Sequence, residues 1–441
     1  MMDYPAATAF LDDLVNYERL ASYRYDSKNF GGERMRRLLG ALGDPHAGRR
    51  YAVVAGTKGK GSTAAMLAAI LSSSGRRTGL YTSPHLVEYR ERLRIGGEPV
   101  APEAFAALAA AVEGPVKALA IEGVDLRPTT FEALTAMAIL GFAREGCDAA
   151  VLEVGMGGRL DAVNAVDAGV VCMTPVSLDH VDQLGDTVAA IAGEKAGVIR
   201  GPCPVACGPQ EPAALAVVME ACRRAGATLL LAGRDFRAEK VRVSLAGATF
   251  DALTPVGREP GLQIALRGRH QVDNAMVAVA AAEAWGLATA DGIRAGLGAA
   301  RWPGRMESMT RDARVLVDGA HNGASARALA SAIRELLPRR KVSLVLAMLK
   351  GKDVAGVLAA LLPLASAVYV SGLSHPRALP ASDLDAAVGG RAPSRVFGTA
   401  AEALTTALAG AGPDGLVLCA GSLALAGEVL RWNASGTGVR G

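Results

Sequence analysis

Two α/β domains are what this sequence predicts, on three observations. Short apolar runs closed by Gly, Asp or Ser alternate with Ala- and Leu-rich stretches. A Gly-rich turn joins one of the earliest runs to a helical stretch, and Pro303 with Gly304 interrupts the helical pattern before a second series of runs begins. Parallel strands buried on both faces read as continuous apolar runs, and the helices between them supply the cover.

Taken in order, YAVVAG (51–56), DAAVLEVG (148–155) and GVVCMTPV (169–176) read as buried strands. Between Thr228 and His270, LLLAG, KVRVSL, TFDAL and LQIALRG are short, partly alternating and separated by turn residues, which predicts a small antiparallel sheet. An Ala-rich helix follows from about Asn274 to Trp285. The domain boundary falls in ARWPGRMES (300–308), giving domains of 1–299 and 300–441. Beyond it RVLVDG, KVSLVLAML, AVYVSG, SRVFG and GLVLCAG alternate with helical stretches, and the tail NASGTGVRG is expected to fray.

Composition excludes several classes. The 441 residues are 51% apolar and 20% charged, with a net charge of +4 and no basic block, so neither disorder nor a nucleic-acid partner is indicated. Six cysteines are too sparse for a disulfide framework, and the pair Cys203 and Cys207 has no second Cys/His pair to complete a zinc site. Val354 to Ser374 carries no charge over about the length of a membrane span. Pro363 splits it into a buried helix and a buried strand, so no membrane partner is expected. The N-terminus lacks a basic-then-apolar signal, and a cytoplasmic location is the expectation.

The most informative stretch is YAVVAGTKGKGSTAAMLAAILSSSG, a strand, a Gly-rich turn and a helix. Gly56, Gly59 and Gly61 let backbone N–H groups approach an anion, and the helix N-terminus favours negative charge. Thr57, Lys58 and Lys60 line the turn; Lys60 is suited to the outer phosphates, and Ser62 or Thr63 to Mg²⁺ through its hydroxyl. The spacing departs from G-x-x-x-x-G-K-[ST] because Val54 stands in the first glycine's place.

This loop resembles the ATP loop of the Mur ligase superfamily, in particular its folylpolyglutamate synthase/dihydrofolate synthase branch. YTSPHLVEYRERLRIGG (81–97), TTFEALTAMA (129–138), LEVGMGGRLDAVN (152–164), SLDHVDQLG (177–185), GEKAGVIR (193–200), GRHQVDNAMVA (268–278), PGRMES (303–308) and VDGAHN (317–322) extend the resemblance in the same order over most of the chain. One departure is Lys58, where the family usually has Asn.

The resemblance implies a P-loop ATPase domain carrying a small antiparallel sheet, then a smaller Rossmann-like α/β domain. It implies ATP and two Mg²⁺ ions as cofactors, with Ser83, Glu153 and His180 toward the metal beside the loop hydroxyl of Ser62. Alone, Glu153 at a strand end reads as a solvated or paired charge, and Lys195 as a surface lysine paired with Glu194. In the family the matching lysine is commonly carbamylated, so Lys195 is a candidate for N6-carboxylation. Asn274, Arg305, Asp318 and His321 are implied nucleotide contacts, although Asn322 after a strand also reads as a helix N-cap. Lys60, Lys195, His180 and Arg305 are the residues implied to act on the reacting groups. Tyr81, Thr82, Pro84, His85, Arg92, Thr130, Phe131, Arg159 and Asp161 are implied on the folate side, and Ser422 on the amino-acid side.

The implied activity is ATP-dependent joining of L-glutamate to dihydropteroate and to tetrahydrofolate through an acyl phosphate, by a monomer. Polyglutamylation alone, or a Mur-type ligase with another carboxylate acceptor, remains an alternative. About fifty residues precede the phosphate loop, fewer than the extra N-terminal domain of a UDP-sugar ligase would need. A nucleotide switch without ligase chemistry would need neither the Glu153/His180 pair nor a second domain.

Overall fold

The computed structural model describes residues 2–20, 23–27, 29–30, 32–338 and 341–435. The chain divides into two compact units. The first comprises Met1–Arg242, Ala248–Ala265 and His270–Arg301, and the second Val243–Gly247, Leu266–Arg269 and Trp302–Gly441.

In chain order, the strands of the first unit's main sheet are β1 (Tyr51–Ala55), β2 (Thr78–Tyr81), β3 (Leu93–Ile95), β4 (Glu98–Pro99), β5 (Ala149–Glu153), β6 (Ala168–Met173), β7 (Pro204–Cys207) and β8 (Thr228–Leu231). Their spatial order is β4-β3-β2-β5-β1-β6-β7-β8. From β2 to β8 every pairing is parallel; β3 and β4 extend the edge as an antiparallel hairpin. All five residues of β1 and of β5 are buried, as central strands covered on both faces require.

Sequence reading assigns LLLAG to the antiparallel sheet, and the structure corrects this: Thr228–Leu231 pairs parallel with β7. The helix Pro212–Ala225 buries Ala214, Val218, Ala221 and Cys222, and Gly226 in the left-handed region turns the chain into β8, completing a β-α-β crossover. The antiparallel sheet is the remainder: β9 (Arg237–Ser244), β10 (Gly247–Leu253) and β11 (Arg258–Ile264).

The next helix runs Arg269–Ala284, starting five residues before Asn274. A further helix, Ala290–Ala299, packs so closely on Lys60–Ser73 that a Cβ on Gly296 would lie 2.5 Å from the Ile70 backbone. Small residues are what let two helix backbones approach to that distance. Helix Pro102–Glu122 is long and apolar enough to span a membrane. It turns Phe105, Leu108, Ala109, Val112 and Val116 into the first unit's core.

The second unit carries β12 (Glu307–Ser308), β13 (Val315–Val317), β14 (Val342–Leu346), β15 (Ala365–Ser371), β16 (Ser394–Phe397) and β17 (Val417–Ala420), ordered β12-β13-β17-β14-β15-β16. Only the β12–β13 pairing is antiparallel. The uncharged stretch resolves into helix Val354–Leu361, a short turn containing Pro363, and β15. Helix Leu423–Ser435 takes in the first residues of the tail expected to fray; residues 436–441 lie outside the described residues. All six cysteines are buried and unpaired by disulfide, and among the described residues no three His, Cys, Asp or Glu side chains converge as a metal cage.

Candidate active site

In the main sheet β1 lies between β5 and β6, and the chain runs from β1 toward the β2 side before crossing back to β6. Connections diverge at that point, which leaves a crevice outside the carboxyl ends of the strands where open α/β sheets bind ligands. The phosphate loop follows β1, Thr82 and Ser83 follow β2, Glu153 ends β5, and Thr174–His180 follows β6. These segments of the first unit therefore all leave the sheet at the carboxyl ends of its central strands.

The loop is anchored from beneath. Thr57 N–H and Lys58 N–H donate to the Pro175 carbonyl at 3.0 and 3.3 Å. The Thr57 hydroxyl donates to the Ser177 carbonyl and accepts the Ser177 N–H, each at 3.1 Å. Gly56 and Gly59 adopt φ of 139° and 83°. A Cβ on Gly56 would lie 1.9 Å from Thr174 Oγ1, and one on Gly59 would lie 2.2 Å from Asn274 Oδ1. Asn274, assigned to the nucleotide from the resemblance, thus lies directly against the loop, its amide also donating to Gln271 at 3.0 Å. Helix Lys60–Ser73 starts at once, with Ser62 and Thr63 buried in its first turn; Thr63 Oγ1 has no hydrogen-bond partner among the described residues.

Glu153 is buried at the end of β5 and accepts the Ser83 N–H at 3.2 Å, which fixes the Ser83 turn beside it. His180 has left-handed backbone (φ 51°), with its ring 3.9 Å from Asp179. The surface reading of Lys195 is overturned: the residue is 4% exposed, and Glu194 pairs with Arg159 instead. Adjacent helix positions point in different directions, so Glu194 meets Arg159 while Lys195 turns into the interior. Burial, reinforced by the charge on Lys60, brings the Lys195 ammonium down to about 7, and Asp179 and Asp161 oppose that shift. Lys60, Asp179 and Asp161 are therefore electrostatic neighbours of Lys195, and Lys60 also acts on Asp161. Burial also pushes Asp161 up to about 6.

On the acceptor side, Asp161 accepts the N–H groups of Gly155, Met156 and Val163, all at 3.0 Å, so its carboxylate holds the 155–163 turn. Phe131 packs on Gly155 and lies 5.9 Å from the Tyr81 ring. Thr130 is used internally, its hydroxyl donating to the Leu11 carbonyl at 3.1 Å. Thr82 is buried and Pro84 exposed. Arg159 is held against Glu194, and Arg92 is buried against Glu18.

In the second unit, the Asp318 carboxylate accepts Met306 N–H and Ala320 N–H at 3.0 and 2.8 Å. Arg305 passes over Gly319, where a Cβ would lie 2.5 Å from its Nη1. His321 Nδ1 donates to the Gly319 carbonyl at 2.8 Å, and Asn322 caps helix Gly323–Leu336. Ser422 accepts Leu425 N–H at 3.0 Å, a helix-capping bond. Arg305, Asp318 and His321 are thus neighbours around one turn.

Known proteins match this arrangement. The model of the Mur ligase middle domain matches residues 54–282, and that of the Mur ligase glutamate ligase domain matches 304–423. The dihydrofolate synthase/folylpolyglutamate synthase of Mycobacterium tuberculosis is 38% identical over 87% of this chain and 83% of its own length. That of Escherichia coli is 34% identical over 97% and 96%. The chain belongs to the dihydrofolate synthase/folylpolyglutamate synthase family of Mur ligases. The Mycobacterium tuberculosis folylpolyglutamate synthase complexed with ADP and AMPPCP superposes with a TM-score of 0.89 at 34% identity, covering 98% of this chain and 99% of that one. An FPGS–AMPPCP–folate complex gives 0.85 at 32% identity, with the same coverage.

A buried ion pair in this Mur ligase, Arg34 with Glu132, was not read from the sequence. Arg34 donates to both Glu132 oxygens at 2.9 and 2.8 Å and to the carbonyls of Asn29 and Asp125. It thereby ties the segment before it to the helix that carries Phe131. Tyr17, Tyr23, Tyr25 and Phe30 form an aromatic cluster in that segment, with centroids 4.7–5.8 Å apart. Four rings within fourteen residues, in a chain with 4% aromatics, were the available signal.

Proposed function

We propose that this chain joins L-glutamate to dihydropteroate and to tetrahydrofolate at the expense of ATP, working in the cytoplasm as a monomer. The observation that carries this reading is the convergence of an anchored phosphate loop with Glu153, Ser83 and Lys195 at the sheet's switch point.

A carboxylate is a poor electrophile and needs activation. One acceptor carboxylate oxygen attacks the γ-phosphorus, ADP departs, and an acyl phosphate forms. The glutamate amine then attacks the acyl carbon, phosphate leaves with the C–O electron pair, and the amine loses a proton. Lys60 and the N-terminus of its helix hold the phosphates and offset the charge developing on the transferred group. The donor set fits magnesium: Ser62, Ser83 and Glu153 offer oxygen, His180 a nitrogen, and Thr63 Oγ1 is buried without a partner. Mg²⁺ retains water and phosphate in its shell, so no protein-only cage is needed. When bound, two such ions would supply Lewis-acid stabilisation of the phosphoryl oxygens. With its ammonium brought down to about 7, part of the Lys195 amine is neutral near pH 7 and able to add to CO₂, the nitrogen losing a proton as a carbamate anion forms beside Lys60.

The test is ADP release by the purified protein with ATP, Mg²⁺ and L-glutamate, adding dihydropteroate or tetrahydrofolate separately, with products weighed by mass spectrometry. Turnover of both establishes the bifunctional reading. Turnover of tetrahydrofolate alone confines the protein to tail extension, and silence with both overturns the folate assignment.

A further inference from the structure

Arg92, assigned to substrate from the resemblance, is 2% exposed and engaged on two sides by the protein itself. Its terminal nitrogens donate to the two oxygens of Glu18 at 2.9 and 2.6 Å, and its Nε–H donates to His85 Nδ1 at 2.9 Å. The His85 ring also meets the Tyr89 ring edge-on, with centroids 4.6 Å apart, and Tyr89 is fixed by its hydroxyl donating to Asp12 at 2.8 Å.

A guanidinium has five donors and no acceptor. A histidine nitrogen that faces its N–H must therefore present a lone pair, and the ring proton sits on the other nitrogen. We propose that Arg92, oriented by Glu18, is a positioning residue that locks His85 in the Nε2–H form, making His85 a hydrogen-bond donor to an anionic oxygen of the acyl acceptor. His85 lies two residues from Ser83, whose N–H is bound to Glu153, so the donor belongs to the turn that Glu153 fixes at the end of the central strands. The role rests on the ligase reading; the tautomer does not. Glu18 lies in the connector after the first helix and reaches Arg92 from 74 residues away in sequence. The arrangement thus couples that connector to the Ser83 turn.

Full-length protein labelled with ¹⁵N-histidine reports the tautomer directly, His85 being the resonance lost in His85→Gln. The expected spectrum has a bare Nδ1 and a protonated Nε2, and the lock weakens in Arg92→Met and in the milder Glu18→Gln. A single donor to a charged oxygen corresponds to about 10- to 100-fold in kcat/KM for the acceptor. His85→Ala and Arg92→Met should lose that much while KM for ATP stays within about twofold. His85→Gln, whose amide N–H reaches the Nε2 position, recovers most of the loss, whereas His85→Asn does not. A protonated Nδ1 in an active wild type, or an ATP KM that moves as far as the acceptor's, overturns this proposal alone. A wild type silent with both folates overturns the ligase reading and the donor role with it, while the tautomer result stands independently.

Discussion

Replacing Lys195 with Met should stabilise the protein while disabling it. The unfolded chain holds the lysine proton up to its ordinary value of 10.5, whereas the folded chain releases it near 7. Between those values unfolding takes up a proton, so this residue makes stability rise with pH. At about 1.4 kcal/mol per unit, it costs the native state about 3 kcal/mol at pH 8 and about 2 kcal/mol at pH 9. Below about pH 7 both states are protonated and the cost is constant at its largest. Met fills a similar volume without a charge, so the variant should gain roughly these amounts, and its pH slope over 7–9 should flatten. Urea unfolding followed by circular dichroism in CO₂-free buffers at pH 7, 8 and 9 measures both. Ligation should fall at least about 100-fold in the same variant. A Lys195→Met protein that is less stable than the parent, or that keeps the parent's slope, refutes the buried-amine argument.

Glu153→Gln leaves an amide oxygen able to accept Ser83 N–H, so the fold should persist while ATP-dependent ligation drops at least about 100-fold, read as ADP release. Gly59→Ala should weaken ATP binding about tenfold or more by calorimetry, because left-handed backbone costs an L-residue about 1–2 kcal/mol and the Cβ collides with Asn274. Gly75→Ala, at φ 80° with nothing within 4 Å, carries similar strain without the collision and should leave ATP binding unchanged. Arg34→Met strands the buried Glu132 charge and should cost about 3–5 kcal/mol in urea unfolding. Adding Glu132→Gln should recover part of that, since Gln still accepts Thr129 N–H.

What the sequence disclosed was what is local in the chain. The phosphate loop is a run of eight residues whose glycines, lysines and hydroxyls state their purpose together, and the cap at Asn322 was legible for the same reason. Glu18 with Arg92, and Arg34 with Glu132, are separated by 74 and 98 residues, and no local pattern marks which charge meets which. Lys195 shows the same limit over a single step. Glu194 was its nearest opposite charge, but Arg159, brought in by the 157–159 turn, takes that partner and leaves the lysine buried. The β8 strand was misplaced because an apolar tetrapeptide suits a parallel edge as well as a hairpin, and the preceding crossover helix decides between them.

Thr57 and Ser177 exchange two hydrogen bonds through one hydroxyl, and Pro175, Thr174 and Asn274 close around the same few residues. The phosphate loop is therefore held in shape by bonds within the protein itself. Its loss of conformational freedom occurs once, during folding, and is not repeated at each turnover, so binding free energy is not consumed in ordering the loop. Calorimetry of ATP binding should accordingly show an entropy little burdened by chain ordering. Thr57→Val, which removes both bonds to Ser177, should make that entropy less favourable.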